Sequence, residues 1–90
     1  MRDLIFKNKF RKDVERIQRT GRDMSRLAEV IDLLAEGKPM PPNNRDHQLV
    51  GNFKDYRECH LGGDWLLLYP FTDTTVILVR TGSHSDLLDL

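Results

Sequence analysis

The stretch Cys59-His60-Leu61-Gly62-Gly63-Asp64-Trp65-Leu66-Leu67-Leu68-Tyr69 decides the fold, because it predicts a β-hairpin. Two adjacent glycines suit a tight turn that requires positive φ angles, and strand-forming residues flank them on both sides. The run from Trp65 to Tyr69 shows no alternation of polar and apolar residues. Such a strand is typical of the centre of a sheet that is covered on both faces.

A third strand is predicted after the two strands of this hairpin. Residues 52–60 form its first strand, residues 65–69 its second, and residues 75–80 a third strand after a turn at 71–74. The loop at residues 38–48 contains three prolines. Proline fixes φ and lacks a backbone N–H, so this loop can be neither a helix nor a central strand.

Two amphipathic helices are predicted between an opening strand, residues 3–6, and the proline-rich loop. Apolar residues recur at helical spacing in residues 10–17 and again in residues 27–34. The boundaries follow from suitable N-caps and terminating glycines, which are Asn8 and Gly21 for the first helix and Asp23 and Gly37 for the second.

The element order is therefore β-α-α-β-β-β, followed by a short C-terminal helix that Ser83 caps and that runs through Leu88. This order predicts an α+β fold in which a helical hairpin packs on one face of an antiparallel sheet. The chain has 90 residues, which is the size of one domain, so residues 1–90 are predicted to form a single domain.

Composition excludes several classes of protein. No apolar run approaches the roughly 18–20 residues of a membrane span, and the first residues do not resemble a signal peptide. Cys59 is the only cysteine, which excludes an intrachain disulfide and a thiolate zinc site. We therefore expect a soluble cytoplasmic protein with no membrane partner.

The formal net charge of zero conceals an asymmetry. Residues 1–45 contain eleven Lys/Arg and seven Asp/Glu, whereas residues 46–90 contain three and seven. Most of the positive excess lies in residues 7–26, on the predicted helices. A basic surface of this kind is either simply solvated or contacts a polyanion.

Five residues that can perform acid–base chemistry on phosphate are predicted to converge at one edge of the sheet. His60 and Asp64 flank the glycine turn, and the antiparallel third strand returns Arg80 and His84 to the same edge. The proline-rich loop can place His47 beside them. Histidine can act as a general base or a general acid at neutral pH, and arginine stays charged and binds phosphate with a fork of donors.

Such a cluster suits RNA cleavage in which the 2′-hydroxyl attacks the adjacent phosphate. His47 and His84 could be the base and acid in either order, with His60 and Asp64 orienting them. An alternative is a zinc site of His47 and His60 with Asp64 or His84, because catalytic zinc often has three protein ligands and a water.

The chain also resembles a known family, over nearly its whole length. The matching segments are Asp46-His47-Gln48-Leu49-Val50-Gly51, Tyr56-Arg57-Glu58-Cys59-His60, Asp64-Trp65 and Arg80-Thr81-Gly82-Ser83-His84, and they resemble the YafQ branch of the RelE/ParE toxin superfamily. The resemblance implies a RelE-like, microbial-ribonuclease-like fold and the toxin component of a bacterial type II toxin–antitoxin module. It also implies a metal-independent, cofactor-free endoribonuclease, or mRNA interferase, that acts on ribosome-bound mRNA, and a cognate antitoxin as partner.

The resemblance assigns a role to each matching position. It implies that His47 is the general base, that His84 is the general acid and that Arg80 stabilises the charged transition state, with His60 and Asp64 in support. The residues that we expect to contact RNA or the ribosome are Trp65, Lys54, Lys9, Lys12, Arg16 and Arg19. Leu88 stands where the family has a phenylalanine, which argues against base stacking there.

Two other functions remain open at this point. One is a noncatalytic toxin on the same scaffold that inhibits by binding DNA gyrase, although such toxins need no histidine cluster. The other is a metal-dependent hydrolase, whose activity would be abolished by EDTA.

Overall fold

The computed structural model describes residues 1–51 and 55–88 of the chain. Its helices are α1 (Asn8–Gln18), α2 (Ser25–Glu36) and α3 (His84–Leu88), and a 3-10 turn occupies Pro42–Asn44. Its strands are β1 (Asp3–Phe6), β2 (His47–Gln48), β3 (Arg57–Gly62), β4 (Trp65–Tyr69), β5 (Thr75–Leu78) and β6 (Arg80–Gly82). No helix in the described ranges has both the length and the apolar character that a membrane crossing requires.

The central strand lies where the sequence predicts it. Four strands form an antiparallel sheet in the order β2-β3-β4-β6, so β4 lies between two neighbours. All five residues of β4 are buried. The α+β fold with an antiparallel sheet is therefore confirmed.

The predicted third strand, residues 75–80, is in fact two strands. β5 pairs in parallel with β1, whereas β6 pairs antiparallel with β4. The division falls at Val79, whose N–H donates to the Leu68 carbonyl at 3.1 Å. A segment that pairs with one strand at its start and with another at its end has to change direction between them. The hydropathy pattern of residues 75–80 does not indicate that change. The short strand β2, within the predicted loop, was also not expected.

The two long helices bury their apolar sides against one face of the sheet, as predicted. The side chains in contact there include Phe10, Ile17, Leu27, Val30, Leu34, Cys59, Leu67 and Tyr69. Burial raises the pKa of the Cys59 thiol to about 12, so Cys59 packs as an uncharged small residue. On the opposite face, Leu87 of α3 packs against Leu66 and Leu68.

The helix caps lie close to the predicted positions. Asn8 is the first residue of α1 and Lys7 is its N-cap, while Gly21 lies in the turn that follows. The Asp23 carboxylate accepts hydrogen bonds from the N–H of Ser25 at 3.1 Å and from its hydroxyl at 2.6 Å, at the start of α2. Gly37 ends α2 at φ +70°, the left-handed conformation that glycine adopts at little cost.

Candidate active site

Three imidazoles surround one buried carboxylate, that of Glu58. Its Oε1 lies 3.7 Å from Nε2 of His47, 3.3 Å from Nε2 of His60 and 3.6 Å from Nε2 of His84. The ring centroids are 6.1 Å apart for His47 and His60 and 5.9 Å apart for His60 and His84. The fold thus brings together three histidines that are distant in sequence.

Strand geometry places Glu58 at the centre. His47 of β2 lies directly opposite Glu58 of β3, and directly opposed residues point to the same face of a sheet. His60 is two residues from Glu58 along β3, so it shares that face as well. The sequence analysis missed Glu58, although the same period-two rule applied to His60 would have found it.

A capping box at the start of α3 fixes the position of His84. The Asp86 N–H donates to the Ser83 hydroxyl at 3.1 Å, and the Ser83 N–H donates to the Asp86 carboxylate at 3.3 Å. These reciprocal bonds satisfy N–H groups that a helix start otherwise leaves unpaired. The cap predicted at Ser83 is confirmed, and it makes His84 the first residue of the helix.

The neighbours of each imidazole determine which ring nitrogen carries a proton. Nδ1 of His47 lies 2.7 Å from the Arg45 carbonyl, which can only accept, so Nδ1 is protonated and neutral His47 has its lone pair on Nε2. Nδ1 of His60 lies 3.1 Å from Nη2 of Arg45, which can only donate. Neutral His60 therefore carries its proton on Nε2, toward Glu58. Two imidazoles of the same cluster are thus held in opposite tautomers.

The third imidazole, His84, is held by Asp64. Nδ1 of His84 lies 2.7 Å from the Asp64 carboxylate, which also accepts a 3.4 Å hydrogen bond from the His84 N–H. The hydrogen bond from the ring lowers the pKa of the Asp64 carboxyl below its ordinary value of 3.8. An ionised carboxylate can only accept, so Nδ1 of His84 carries a proton and donates it to Asp64.

Asp46 anchors the loop that presents His47. Its carboxylate accepts hydrogen bonds from the Tyr69 hydroxyl and from Nε of Arg57, the latter at 3.2 Å. Tyr69 and Arg57 are opposite each other on β4 and β3, so Asp46 attaches the loop to the sheet at one cross-strand pair. The hydroxyl of Tyr69 stays protonated because burial and this hydrogen bond raise its pKa.

Arg45 is a second residue that the sequence analysis missed. It adopts φ +46°, a left-handed conformation that is unfavourable for a residue with a side chain. In that conformation its carbonyl faces His47 and its guanidinium faces His60. Strain of this kind concentrates at functional sites, and no local sequence signal indicated it.

Arg80 pairs with a residue that the sequence analysis did not consider. It is opposite Leu68, which is itself opposite Glu58, so Arg80 lies on the same face as the cluster but two strands away. Its guanidinium forms two hydrogen bonds with the buried Asp13 of α1, of 2.7 Å and 3.1 Å. The sequence analysis missed Asp13 because a lone acidic residue in a helix carries no sign of a partner 67 residues away.

Trp65 differs from the expectation, since the predicted contact with RNA needs an exposed ring. The side chain is only 2% exposed, its indole N–H donates to the Thr81 hydroxyl at 2.8 Å, and the guanidinium of Arg22 lies over the ring. The other residues of the predicted RNA-binding set are exposed on α1 or at its end, namely Lys9, Lys12, Arg16 and Arg19. Lys54 lies outside the described residues, as does the side chain of Leu88.

His47, Glu58 and His60 can also hold a metal ion. One donor atom from each lies within 4.8 Å of the others, and two imidazoles with one carboxylate suit copper or zinc. Asp64, part of the zinc set predicted from the sequence, instead bonds His84. His47 would then serve either as a proton carrier or as a metal ligand.

The lowered pKa of His60 predicts that the folded protein loses stability in acid. Burial, followed by the charge of Arg45, lowers the pKa of His60 below its ordinary value of 6.5. Between these two values the unfolded chain binds a proton that the folded chain does not, so the free energy of unfolding falls as the pH falls. One proton corresponds to at most about 1.4 kcal/mol per pH unit. We expect His60→Gln to lose this component, as measured by urea unfolding between about pH 7 and pH 5; parallel pH dependence in the two proteins would contradict it.

Comparison with known proteins shows which family the chain belongs to. A model of the family described as "Bacterial toxin of type II toxin-antitoxin system, YafQ" matches residues 2–89. The chain belongs to the YafQ family of bacterial toxins. The family that the sequence predicts is therefore confirmed.

Individual YafQ relatives support the same conclusion. The mRNA interferase toxin YafQ of Escherichia coli K12 is 37% identical over 87 residues, which are 96% of this chain and 95% of the relative. A copper-bound mutant toxin from Helicobacter pylori is 42% identical at a TM-score of 0.92, covering 97% of this chain and 99% of that one. The toxin in the Escherichia coli DinJ–YafQ complex is 37% identical at a TM-score of 0.89, covering 96% of both chains.

Proposed function

We propose that this YafQ-family chain is an mRNA interferase, an endoribonuclease that cleaves ribosome-bound mRNA through attack of the 2′-hydroxyl on the neighbouring phosphate. The observation that carries the proposal is the arrangement of three imidazoles around Glu58, of which Arg45 holds two and Asp64 holds the third. Such an arrangement supplies a proton acceptor and a proton donor in one site, which this reaction requires. The relatives that are named mRNA interferases support the same reaction.

His47 is the general base of the proposed mechanism. The Arg45 carbonyl keeps the proton on Nδ1, so the lone pair on Nε2 accepts the proton of the 2′-hydroxyl. The resulting imidazolium has its new N–H beside the Glu58 carboxylate. Glu58 therefore acts as a positioning residue whose carboxylate lies beside the imidazolium that proton transfer forms.

His84 is the general acid. With Asp64 accepting from Nδ1–H, its imidazolium donates the proton on Nε2 to the departing 5′-oxygen. The P–O5′ bond breaks as the O2′–P bond forms, which yields a 2′,3′-cyclic phosphate and a 5′-hydroxyl. His60 transfers no proton in this scheme, because Arg45 faces its Nδ1 and its Nε2–H faces Glu58.

Two guanidinium groups can stabilise the charge that develops on the phosphoryl oxygens. Asp13 holds Arg80 through two hydrogen bonds, and Arg45 lies beside His60. Arginine suits this role because its planar fork matches phosphate oxygens and stays charged.

The imidazole cluster also bears on whether the reaction uses a metal ion. His47, Glu58 and His60 fit a copper or zinc ion, and a toxin structure from Helicobacter pylori contains copper. An ion there would take the lone pair that His47 needs as a base. We therefore propose that the reaction needs neither a metal ion nor a cofactor, and that bound copper inhibits it.

The family also suggests a partner and a place of action. The Escherichia coli relative forms a complex with the protein DinJ. We propose that a cognate antitoxin binds and inhibits this chain, whose 90 residues act as one toxin domain. We also propose that the chain acts in the cytoplasm, where ribosomes and mRNA are found.

The proposal is tested by inducing the protein in a bacterium and mapping the ends of RNA and DNA. We expect new 5′ ends within translated mRNA, and none when translation initiation is blocked. Breaks in DNA without breaks in mRNA would instead support the gyrase-binding alternative.

The same reaction is then reconstituted with purified ribosomes. Cleavage should persist in EDTA and should fall when copper is added. Loss of cleavage in EDTA, restored by zinc, would overturn the metal-independent mechanism in favour of the metal-dependent hydrolase.

A further inference from the structure

An arginine-lined cleft lies between the α1–α2 turn and the turn that joins β3 to β4. Its volume is about 420 Å³. The residues that line it are Arg22, Asp23, Arg26, Gly62, Gly63 and Trp65. Gly63 directly precedes Asp64, the partner of His84, in the chain.

Arg22 presents an uncompensated positive charge in this cleft. Its guanidinium carbon lies 5.4 Å from the centroid of the Trp65 ring, and no acidic side chain of the described residues pairs with it. The buried indole holds the guanidinium in place through a cation–π contact. A cation that is exposed, oriented and without a carboxylate partner is well suited to bind an anion.

Arg26 adds a second positive charge to the lining of the cleft. Its Nη1 donates to the Leu61 carbonyl at 3.3 Å, and the same nitrogen lies 3.5 Å from where a Cβ on Gly62 would stand. The one acidic side chain in the lining, Asp23, already accepts two hydrogen bonds from Ser25 at the start of α2. The three charged side chains of the cleft therefore leave an excess of one positive charge.

The glycine turn leaves room for a ligand. A Cβ built on Gly63 would meet no atom within 4 Å, so the backbone at this point faces open space. Bare backbone beside two guanidinium groups allows close approach of phosphate oxygens.

We propose that this cleft binds backbone phosphates of RNA, with Arg22 and Arg26 as the contacting residues. The inference rests on the proposed function, because it assigns the cleft to the same RNA. The phosphates belong either to the mRNA that is cleaved or to ribosomal RNA, and the experiment separates the two sources.

The first arm measures binding of a short fluorescent single-stranded RNA whose 2′-O-methyl groups prevent cleavage. For Arg22→Gln we expect about tenfold weaker binding at low salt. The slope of log Kd against log salt concentration should decrease by about 0.7, the value for one lost phosphate contact on a single strand. Arg22→Lys should bind more tightly than Arg22→Gln because it keeps the charge over Trp65, and Arg26→Gln should repeat the loss.

Lys38→Gln is the matched control. It removes one positive charge but lies beyond the far end of α2, about 18 Å from Arg26 by the rise of the helix, where Lys38 pairs with Glu36. Thermal unfolding of every variant shows whether a loss of binding reflects a loss of structure.

The second arm measures co-sedimentation with purified ribosomes. Weaker RNA binding in the first arm assigns the cleft to mRNA, and weaker ribosome binding alone assigns it to ribosomal RNA; both support the proposal. If folded Arg22→Gln and Arg26→Gln match Lys38→Gln in both arms, the proposal is overturned. Neither arm requires cleavage, so a wild-type protein that binds through this cleft but cuts no RNA would contradict only the proposed function.

Discussion

Replacing His84 by Ala is expected to reduce the rate constant of mRNA cleavage by about 10²–10⁴-fold, the usual contribution of a general acid. The imidazole is partly exposed, and the Asp64 carboxylate that holds it is exposed as well, so the fold should persist. The measurement is single-turnover cleavage of ribosome-bound mRNA, with circular dichroism to confirm folding. A variant that cleaves at the wild-type rate would contradict the role of His84.

A substrate with sulfur in place of the 5′-oxygen separates the acid from the base. A thiolate departs without protonation, so this substrate does not need a general acid. We expect it to restore most of the activity of His84→Ala and little of the activity of His47→Ala, because the base is still required. The reverse result would exchange the two roles while leaving the nuclease mechanism intact.

Replacing Asp13 by Asn should lower the free energy of unfolding by about 2–3 kcal/mol, because the change breaks a buried charge pair. The carboxylate accepts two hydrogen bonds from Arg80, one from the Thr81 N–H and one from Arg16. An amide supplies one acceptor and places a donor opposite the guanidinium. Chemical unfolding measures the loss, and the thermal midpoint should fall by about 10 °C or more.

Glu36→Gln is the control for this variant. Glu36 pairs with Lys38, but the pair is exposed, and exposed pairs contribute about 0–1 kcal/mol. Below its unfolding temperature, Asp13→Asn should also cleave RNA more slowly with unchanged KM, because Asp13 positions Arg80. An unchanged rate constant in folded Asp13→Asn would show that Asp13 is purely structural.

The order of helices and strands could largely be predicted from the sequence, because it depends on interactions between neighbouring residues. The glycine pair, the apolar run of β4 and the caps at Ser83 and Gly37 each act through neighbouring residues, and the structure retains all of them. The division of the third strand was not readable, because it depends on which distant strands β5 and β6 join.

The candidate site could be predicted from the sequence only in part. Antiparallel topology placed His60, Asp64 and His84 at one edge, and the structure adds the contact between Asp64 and His84. Glu58 could have been found from its spacing to His60. Arg45 could not, because its role depends on an unusual φ angle and on a loop whose path no periodicity encodes.

By itself, the sequence determined the order of helices and strands, the buried central strand and the candidate histidines, because periodicity, turn chemistry and residue type are properties of neighbouring positions. Only the tertiary structure decided which proton each imidazole carries, that Asp13 holds Arg80 and that Arg22 covers Trp65. Those features depend on pairs of groups that are distant along the chain, and hydrogen bonds and ion pairs between them form only when packing fixes their separation.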